Sequence, residues 1–447
     1  MERLSLGHLS HWKDKPDRLP LLIRGARQVG KTWLVREHGR CYPSFVEINL
    51  EAEPEYLKVF KELFGKPADL LSAISLLSGK KITPGETLLF IDEIQGSPPG
   101  SKEALLSLRY FKEKLPGLHV MAAGSLLEFS FQDFSFPVGR IEFFHLFPLN
   151  FEEYLMALSR RDLVEAIANA DEKHPLPEAV HEKLLEEAAV YCLIGGMPEA
   201  IRHYVESRDF QKSQEAQQVL IANFREDFHK YASRANVEYL RMTFQAVPRL
   251  LGRKWKYSHV DPDVKSRELG TALNLLEKAG LVYRALHSSA NGLPLGAQVN
   301  PKRFKVFFVD VGLCQRLLGL PLSQLYLERK DLFSHRGGIA EQFVAQELAS
   351  LTPPNQTPQL YYWHREEKSA QAEVDFLVEH GPGILPLEVK SADEGRLKSL
   401  HLFLKEKEKY VQKAFKISTS NFGRHEKVVS LPFYALLQLK AEDLFES

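Results

Sequence analysis

The chain has 447 residues, too many for one hydrophobic core, so two or three domains are expected. Its 58 Lys and Arg balance 58 Asp and Glu, which excludes a uniformly basic nucleic-acid-coating protein but allows a local basic patch. Three scattered cysteines, Cys41, Cys192 and Cys314, exclude a disulfide framework and point to a reducing, cytoplasmic setting.

In chain order, "MERLSLGHLSHWKDKPDRLP" has no continuous apolar stretch of the secretory-signal kind, and no run of about eighteen apolar residues follows. No membrane partner is expected. From about residue 20 to 150, the apolar runs "LPLLIRG", "SFVEINL", "TLLFIDE", "HVMAAGS" and "IEFFHLFPL" alternate with helix-like stretches, the pattern of an α/β domain with a parallel sheet. Residues 151–310 read as helical. Within them "SRELGTALNLLEKAGLVYRAL" reads as helix, Gly stop and strand: either a winged-helix-like element with Thr271 to Lys278 as its second helix, or a plain packing helix. Residues 311–447 form a third block, in which the helix "GGIAEQFVAQELASL" precedes the hairpin "AEVDFLVEHGPGILPLEVKS" and an amphipathic helix carrying Leu397, Leu400, Phe403 and Leu404.

The first run leads into "LLIRGARQVGKTWLVREHG", which matches G-x-x-x-x-G-K-[ST] between a strand and a helix. The segment Gly25, Ala26, Arg27, Gln28, Val29, Gly30, Lys31, Thr32 and Trp33 is the expected cradle for ATP. Its glycines let backbone N–H groups turn toward phosphates at a helix N-terminus. Lys31 would neutralise the β- and γ-phosphates, and Thr32 would ligate Mg²⁺. "TLLFIDEIQ" supplies the complementary acids, with Asp92 on the metal side and Glu93 to position or activate water, so hydrolysis is favoured over holding nucleotide. Ser125, at the end of "HVMAAGS", is the candidate polar sensor. Arg140 is either a γ-phosphate sensor, in its own subunit or a neighbour's, or an ordinary surface ion pair.

The segments "LLIRGARQVGKTWLV", "EINLE", "LLFIDEIQ", "AAGS", "GRIEFFHLFPLNFEEYL", "GGMPEAI", "VDVGL" and "EVDFLVE…PLEVKS" span nearly the whole length. Together they resemble the prokaryotic AAA-type P-loop ATPases with a C-terminal domain of uncharacterised function. The resemblance implies an AAA-like ATPase core over residues 1–150, a helical and winged-helix middle over 151–310, and a terminal domain over 311–447 similar to the PD-(D/E)xK, restriction-endonuclease-like fold.

The strand "ILPLEVK" carries two charges where apolar side chains are expected. Strand alternation puts Glu388 and Lys390 on one face, with Leu387 and Val389 on the other. If the hairpin folds symmetrically about Gly381–Pro382, Asp375 lies opposite Glu388 and Glu373 opposite Lys390. Directly opposed Cβ atoms are about 5 Å apart, close enough for Asp375 and Glu388 to share a second divalent metal while Lys390 orients water or stabilises a scissile phosphate. Glu341 matches the acidic helix position of the PD-(D/E)xK nucleases and is a third candidate ligand, or simply a helix glutamate. The alternative to a metal is a Lys390 ion pair with Glu373 or Glu388 that seals a strand end.

Two functions fit. In one, the ATPase is coupled to a nuclease-like domain that binds or cleaves nucleic acid, helped by the basic stretch Arg249, Arg253, Lys254, Trp255 and Lys256. In the other, ATP controls a regulatory switch: nucleotide sets the homo-oligomeric state, and the C-terminal domain is a non-catalytic module for a partner protein or DNA.

Overall fold

A computed structural model describes residues 1–96, 100–124, 139–231, 234–319, 337–365, 372–390 and 397–439. The chain divides into two compact units. One comprises Arg3–Phe147 with Pro353–Thr357, and the other Met1–Glu2, Pro148–Thr352 and Pro358–Ser447.

The first unit is built on β1 (Leu21–Arg24), β2 (Ser44–Asn49), β3 (Thr87–Asp92), β4 (His119–Ala123) and β5 (Glu142–His145). These are the five apolar runs expected to be strands. They lie in the order β2-β3-β4-β1-β5, with every pairing parallel. Parallel strands need crossovers, and helices α1 (Ser5–Asp14), α2 (Lys31–Gly39), α3 (Glu55–Glu62), α4 (Pro67–Ser78) and α5 (Ser101–Lys114) flank them in sequence. Ile48, Phe60, Leu89, Ile91, Leu108 and Phe111 form part of one fully buried core that joins sheet to helices. β4 lies between β1 and β3, so the loops after β1 and β3 open from strands two places apart.

The second unit begins with helices α6 (Phe151–Ala157), α7 (Arg161–Ala168), α8 (Glu178–Ile194), α9 (Pro198–Ser207), α10 (Phe210–Tyr231), α11 (Arg234–Arg249) and α12 (Ser266–Lys278). β6 (Val282–Ser288) and β7 (Val299–Phe308) follow, then α13 (Val311–Leu317), α14 (Gly337–Leu351), β8 (Leu360–His364), β9 (Glu373–His380) and β10 (Gly383–Val389). α15 (Lys398–Glu406), β11 (Ala414–Ser418), β12 (Gly423–His425) and β13 (Val428–Pro432) complete it. Its mixed sheet runs β12-β13-β11-β10-β9-β8-β6-β7.

That order changes two expectations. The helix expected over 271–278 begins earlier, at Ser266, and β6 is no free wing: it pairs with β7 on one side and β8 on the other. Residues on both sides of the expected 310/311 division therefore share one sheet and one compact unit.

Three motifs with no assigned chemistry turn out to form two joints. In "GGMPEAI", Gly195 (φ 77) lies so close to Asp310 of "VDVGL" that a Cβ would stand 2.2 Å from its Oδ1. Asp310 is fully buried; it accepts from the Gly196 N–H (2.5 Å) and caps α13 through the Leu313 N–H (2.9 Å). In "LNFEEY", Asn150 and Glu153 cap α6 reciprocally, while buried Glu347 on α14 accepts the Phe151 N–H through both carboxylate oxygens at 3.2 Å. Gln342 of α14 likewise exchanges hydrogen bonds with the backbone of Phe308.

Candidate functional sites

The first site lies where β1 gives way to α2. A Cβ on Gly25 would approach the Leu146 carbonyl oxygen to 2.2 Å, so only glycine fits there. Gln28 (φ 64) and Gly30 (φ 97) are both left-handed and bend the loop into the N-terminus of α2. Ala26 and Val29 anchor the loop in the core, whereas Gln28 and Trp33 face solvent. Lys31 is buried, and its ammonium donates to the carbonyls of Gly25 and Ala26, both at 3.0 Å. Burial lowers its pKa to about 8, against the opposing pull of Glu93 and Asp92.

Asp92 ends β3 buried, and Thr32 Oγ1 donates to its Oδ2 at 2.8 Å. Its other oxygen accepts the Glu93 N–H at 3.0 Å, and burial raises the Asp92 pKa despite both bonds. Glu93 adopts φ 46, unusual for a residue with a side chain, and Gln95 Nε2 donates to its carboxylate. The donor set fits Mg²⁺: a hydroxyl and a carboxylate stand together, and two cis oxygen ligands of an octahedral ion lie about 3 Å apart. Arg140 is exposed and bonds Glu113 at 3.2 Å, beside Arg109. Ser125 lies outside the described residues.

The second site lies on the C-terminal sheet. β9 and β10 pair from Gly383–His380 to Leu387–Phe376, the register of a hairpin centred on Gly381–Pro382, so Asp375 and Glu388 come next along the ladder. Asp375 Oδ2 accepts the Val389 N–H at 2.9 Å. Lys390 bonds Glu388 at 2.7 Å, and Glu388 Oε2 is buried with no hydrogen-bond partner. Burial first, then Asp375, raises the Glu388 pKa.

The expected partner for Glu373 was Lys390, but the structure brings up Lys305 of β7 instead. Its ammonium lies 2.7 Å from Glu373, 2.8 Å from Glu341 and 3.4 Å from Asp375, and the residue is fully buried. Burial alone would depress the lysine pKa; the three carboxylates overcome it and hold the pKa well above its ordinary value. Lys254 adds a second ammonium 3.5 Å from Glu373. The segment bearing it crosses the cluster so closely that a Cβ on Gly252 would stand 2.7 Å from Glu341 Oε1.

Lys305 is the residue that sequence reasoning missed. Its signal was weak but present: a lysine two residues before Phe307 on a strand, where alternation puts both on one face. Among the described residues, no group of three or more His, Cys, Asp or Glu is arranged to hold a metal. Glu341 and Asp375, expected as ligands, are ion-paired to Lys305, so they do not fit a divalent ion as they stand. The basic stretch is also altered from expectation. Trp255 is buried rather than offered for stacking, and Lys254 is paired, leaving Arg249, Arg253 and Lys256 exposed.

Comparison with known proteins finds three family matches along the chain. Residues 17–155 match an AAA domain family, residues 185–324 a domain of unknown function (DUF8612), and residues 336–434 a second domain of unknown function (DUF4143). No curated protein matches the chain. Among solved structures it is similar to a Walker-type ATPase of Pyrococcus abyssi, with 18% identity and a TM-score of 0.45 over 71% of this chain and 95% of that one. It is also similar to the Aeropyrum pernix ORC1 protein in complex with DNA, with 13% identity and a TM-score of 0.28 over 73% and 93% of the two chains. No helix among the described residues is long and apolar enough to cross a membrane.

Proposed function

We propose that this chain, whose N-terminal domain is an AAA-type P-loop ATPase domain, hydrolyses ATP with Mg²⁺ and uses the nucleotide cycle to switch a C-terminal nuclease-like domain that binds rather than cuts. The observation that carries the ATPase half is the meeting of Lys31, Thr32 and Asp92, with Thr32 and Asp92 in direct contact. Mg·ATP, when bound, supplies the metal charge that neutralises the β- and γ-phosphates. Lys31 leaves the carbonyls of Gly25 and Ala26 for phosphate oxygens, and the loop N–H groups from Gly25 to Gly30 receive the remaining phosphate charge. Thr32 and Asp92 would hold the metal, and Glu93, steadied by Gln95, orients the attacking water. Arg140 would exchange Glu113 for a γ-phosphate, and Ser125, two residues beyond β4 in the sequence, would sense that phosphate.

The test compares ATP binding and turnover in wild type, Lys31→Ala and Glu93→Gln. Lys31→Ala loses nucleotide, whereas Glu93→Gln keeps it and turns over slowly. Unchanged ATP affinity in Lys31→Ala would sink the assignment, and normal turnover in Glu93→Gln would remove Glu93 from the mechanism.

A second reading, ATP-coupled cleavage of nucleic acid, draws support from Asp375, Glu388 and Lys390 gathered on one hairpin. Nicking of supercoiled plasmid with ATP and Mg²⁺ or Mn²⁺, lost in Asp375→Ala, would establish it. Nucleotide-dependent self-assembly or capture of a partner protein without nicking supports the switch.

A further inference from the structure

We infer that Lys305 is a built-in cation: its ammonium occupies the place a divalent metal would take among the C-terminal carboxylates, so the folded site is complete without metal. The inference rests on the C-terminal half of the reading above and is independent of the ATP site.

Three observations converge. First, Lys305 Nζ lies within 3.4 Å of three carboxylates on two separate elements: Glu341 of α14, and Glu373 and Asp375 of β9. Three acids gathered this closely repel unless a positive charge sits among them. A metal could provide that charge from solution, whereas here a strand provides it covalently. Secondly, the arrangement is enclosed. The Lys305 side chain is 1% exposed, its ammonium lies 5.6 Å from the Tyr362 ring centroid, and the backbone at Gly252 passes so near that a Cβ there would stand 2.7 Å from Glu341 Oε1. A paired, buried lysine is not a surface group that strays into the site; withdrawing it would leave Glu341 and Asp375 uncompensated, with only Lys254 remaining at Glu373.

Thirdly, little ligand capacity remains. Asp375 Oδ2 is bonded to the Val389 N–H, Glu388 Oε1 to Lys390, and Glu373 to Lys254 as well as Lys305. Glu388 Oε2 is buried without a hydrogen-bond partner. One such oxygen is far short of the six that a hard divalent ion collects, even when water supplies several of them. Lys305 thus changes the chemistry open to the domain. An ammonium neutralises carboxylates, but it cannot lower the pKa of a bound water or clamp a scissile phosphate as a divalent ion does.

The experiment is Mn²⁺ binding to the nucleotide-free full chain, read by the loss of free-ion signal in electron paramagnetic resonance and by thermal shift. The proteins are wild type, Asp375→Asn, Lys305→Met and the double variant Lys305→Met/Asp375→Asn. Leaving out nucleotide keeps the P-loop site from dominating, and the Asp375 variants assign any signal to the C-terminal cluster. The expected result is a new Mn²⁺ site in Lys305→Met that disappears in the double variant, with no Asp375-dependent binding in wild type even at Mn²⁺ concentrations about tenfold above the Kd of that new site. If Lys305→Met is unstable alone, Mn²⁺ raises its melting temperature but not that of wild type, since an ion that binds only the folded state stabilises it. Two results would overturn the inference. One is a wild-type Mn²⁺ site abolished by Asp375→Asn; the other is a Lys305→Met protein that neither binds Mn²⁺ nor is stabilised by it. Neither touches the ATPase assignment, which fails only on nucleotide measurements.

Discussion

Thr32 Oγ1 donates a hydrogen bond to Asp92 Oδ2 at 2.8 Å, joining the first turn of α2 to the end of β3. The bond holds two hard oxygens side by side before any cation arrives, and it separates the geometric role of Asp92 from its charge. Asp92→Asn keeps an oxygen for the Thr32 hydroxyl but removes the negative charge. Nucleotide affinity in EDTA should stay near wild type, the gain in affinity on adding Mg²⁺ should vanish, and kcat should fall on the order of a hundredfold. Fluorescent-nucleotide titrations with and without Mg²⁺ check this; an undiminished Mg²⁺ effect would detach Asp92 from the metal.

Lys31 gives a pH signature. Burial lowers its pKa to about 8 in the free protein, so at pH 9 the side chain is largely neutral. Phosphate binding favours the ammonium and draws its pKa back up. ATP affinity should therefore decline between pH 7 and pH 9, and binding at pH 9 should take up close to one proton. Calorimetry in buffers of different ionisation enthalpy reads that uptake directly.

The P-loop, Asp92 and the β9–β10 register were legible in the sequence for one physical reason: each is fixed by neighbours close in the chain. A glycine-spaced turn between a strand and a helix dictates where Lys31 and Thr32 fall, and a tight turn at Gly381–Pro382 sets which residues of the hairpin face each other. Lys305 was not legible in this way. It reaches Glu373 only because β6 and β8 lie between β7 and β9 in a strand order that local pattern does not encode. The same holds for Glu347, which reads as one helix glutamate among several until the fold brings it onto the Phe151 N–H. Long-range pairing of charges hides in the sequence; short-range backbone geometry does not.

The joint between Gly195 and Asp310 predicts a large stability effect at residues that belong to neither candidate site. Gly195→Ala combines a left-handed backbone with a Cβ that would meet Asp310 Oδ1 at 2.2 Å, and Asp310 is fixed by its bonds to Gly196 and Leu313. A cost of about 3 kcal/mol or more is expected. Gly319→Ala is the control: its φ of +70 is similar, but no described residue lies within 4 Å of the new Cβ, so it should cost only about 1–2 kcal/mol. Urea midpoints of the two variants separate the clash from the backbone strain, and equal midpoints would mean that Asp310 gives way.

Glu347 should make the second unit less stable as the solution becomes more alkaline. It is buried, and its pKa is pushed up to about 8, chiefly by burial and despite the Phe151 N–H it accepts. In the unfolded chain the same carboxyl titrates near 4.3. Below that value both states hold the proton and the group adds no pH dependence. Between roughly pH 4 and pH 8 the folded state keeps a proton that the unfolded state has released, so stability falls as pH rises, by roughly 3 kcal/mol at pH 7. Glu347→Gln retains an acceptor for Phe151 and cannot ionise. The variant should gain melting temperature relative to wild type at pH 7.5, lose that advantage near pH 4.5, and show a flatter profile between them. Parallel profiles for the two proteins would mean that the Glu347 carboxyl ionises inside the fold at an ordinary pH, and that Phe151 then caps α6 against a buried negative charge.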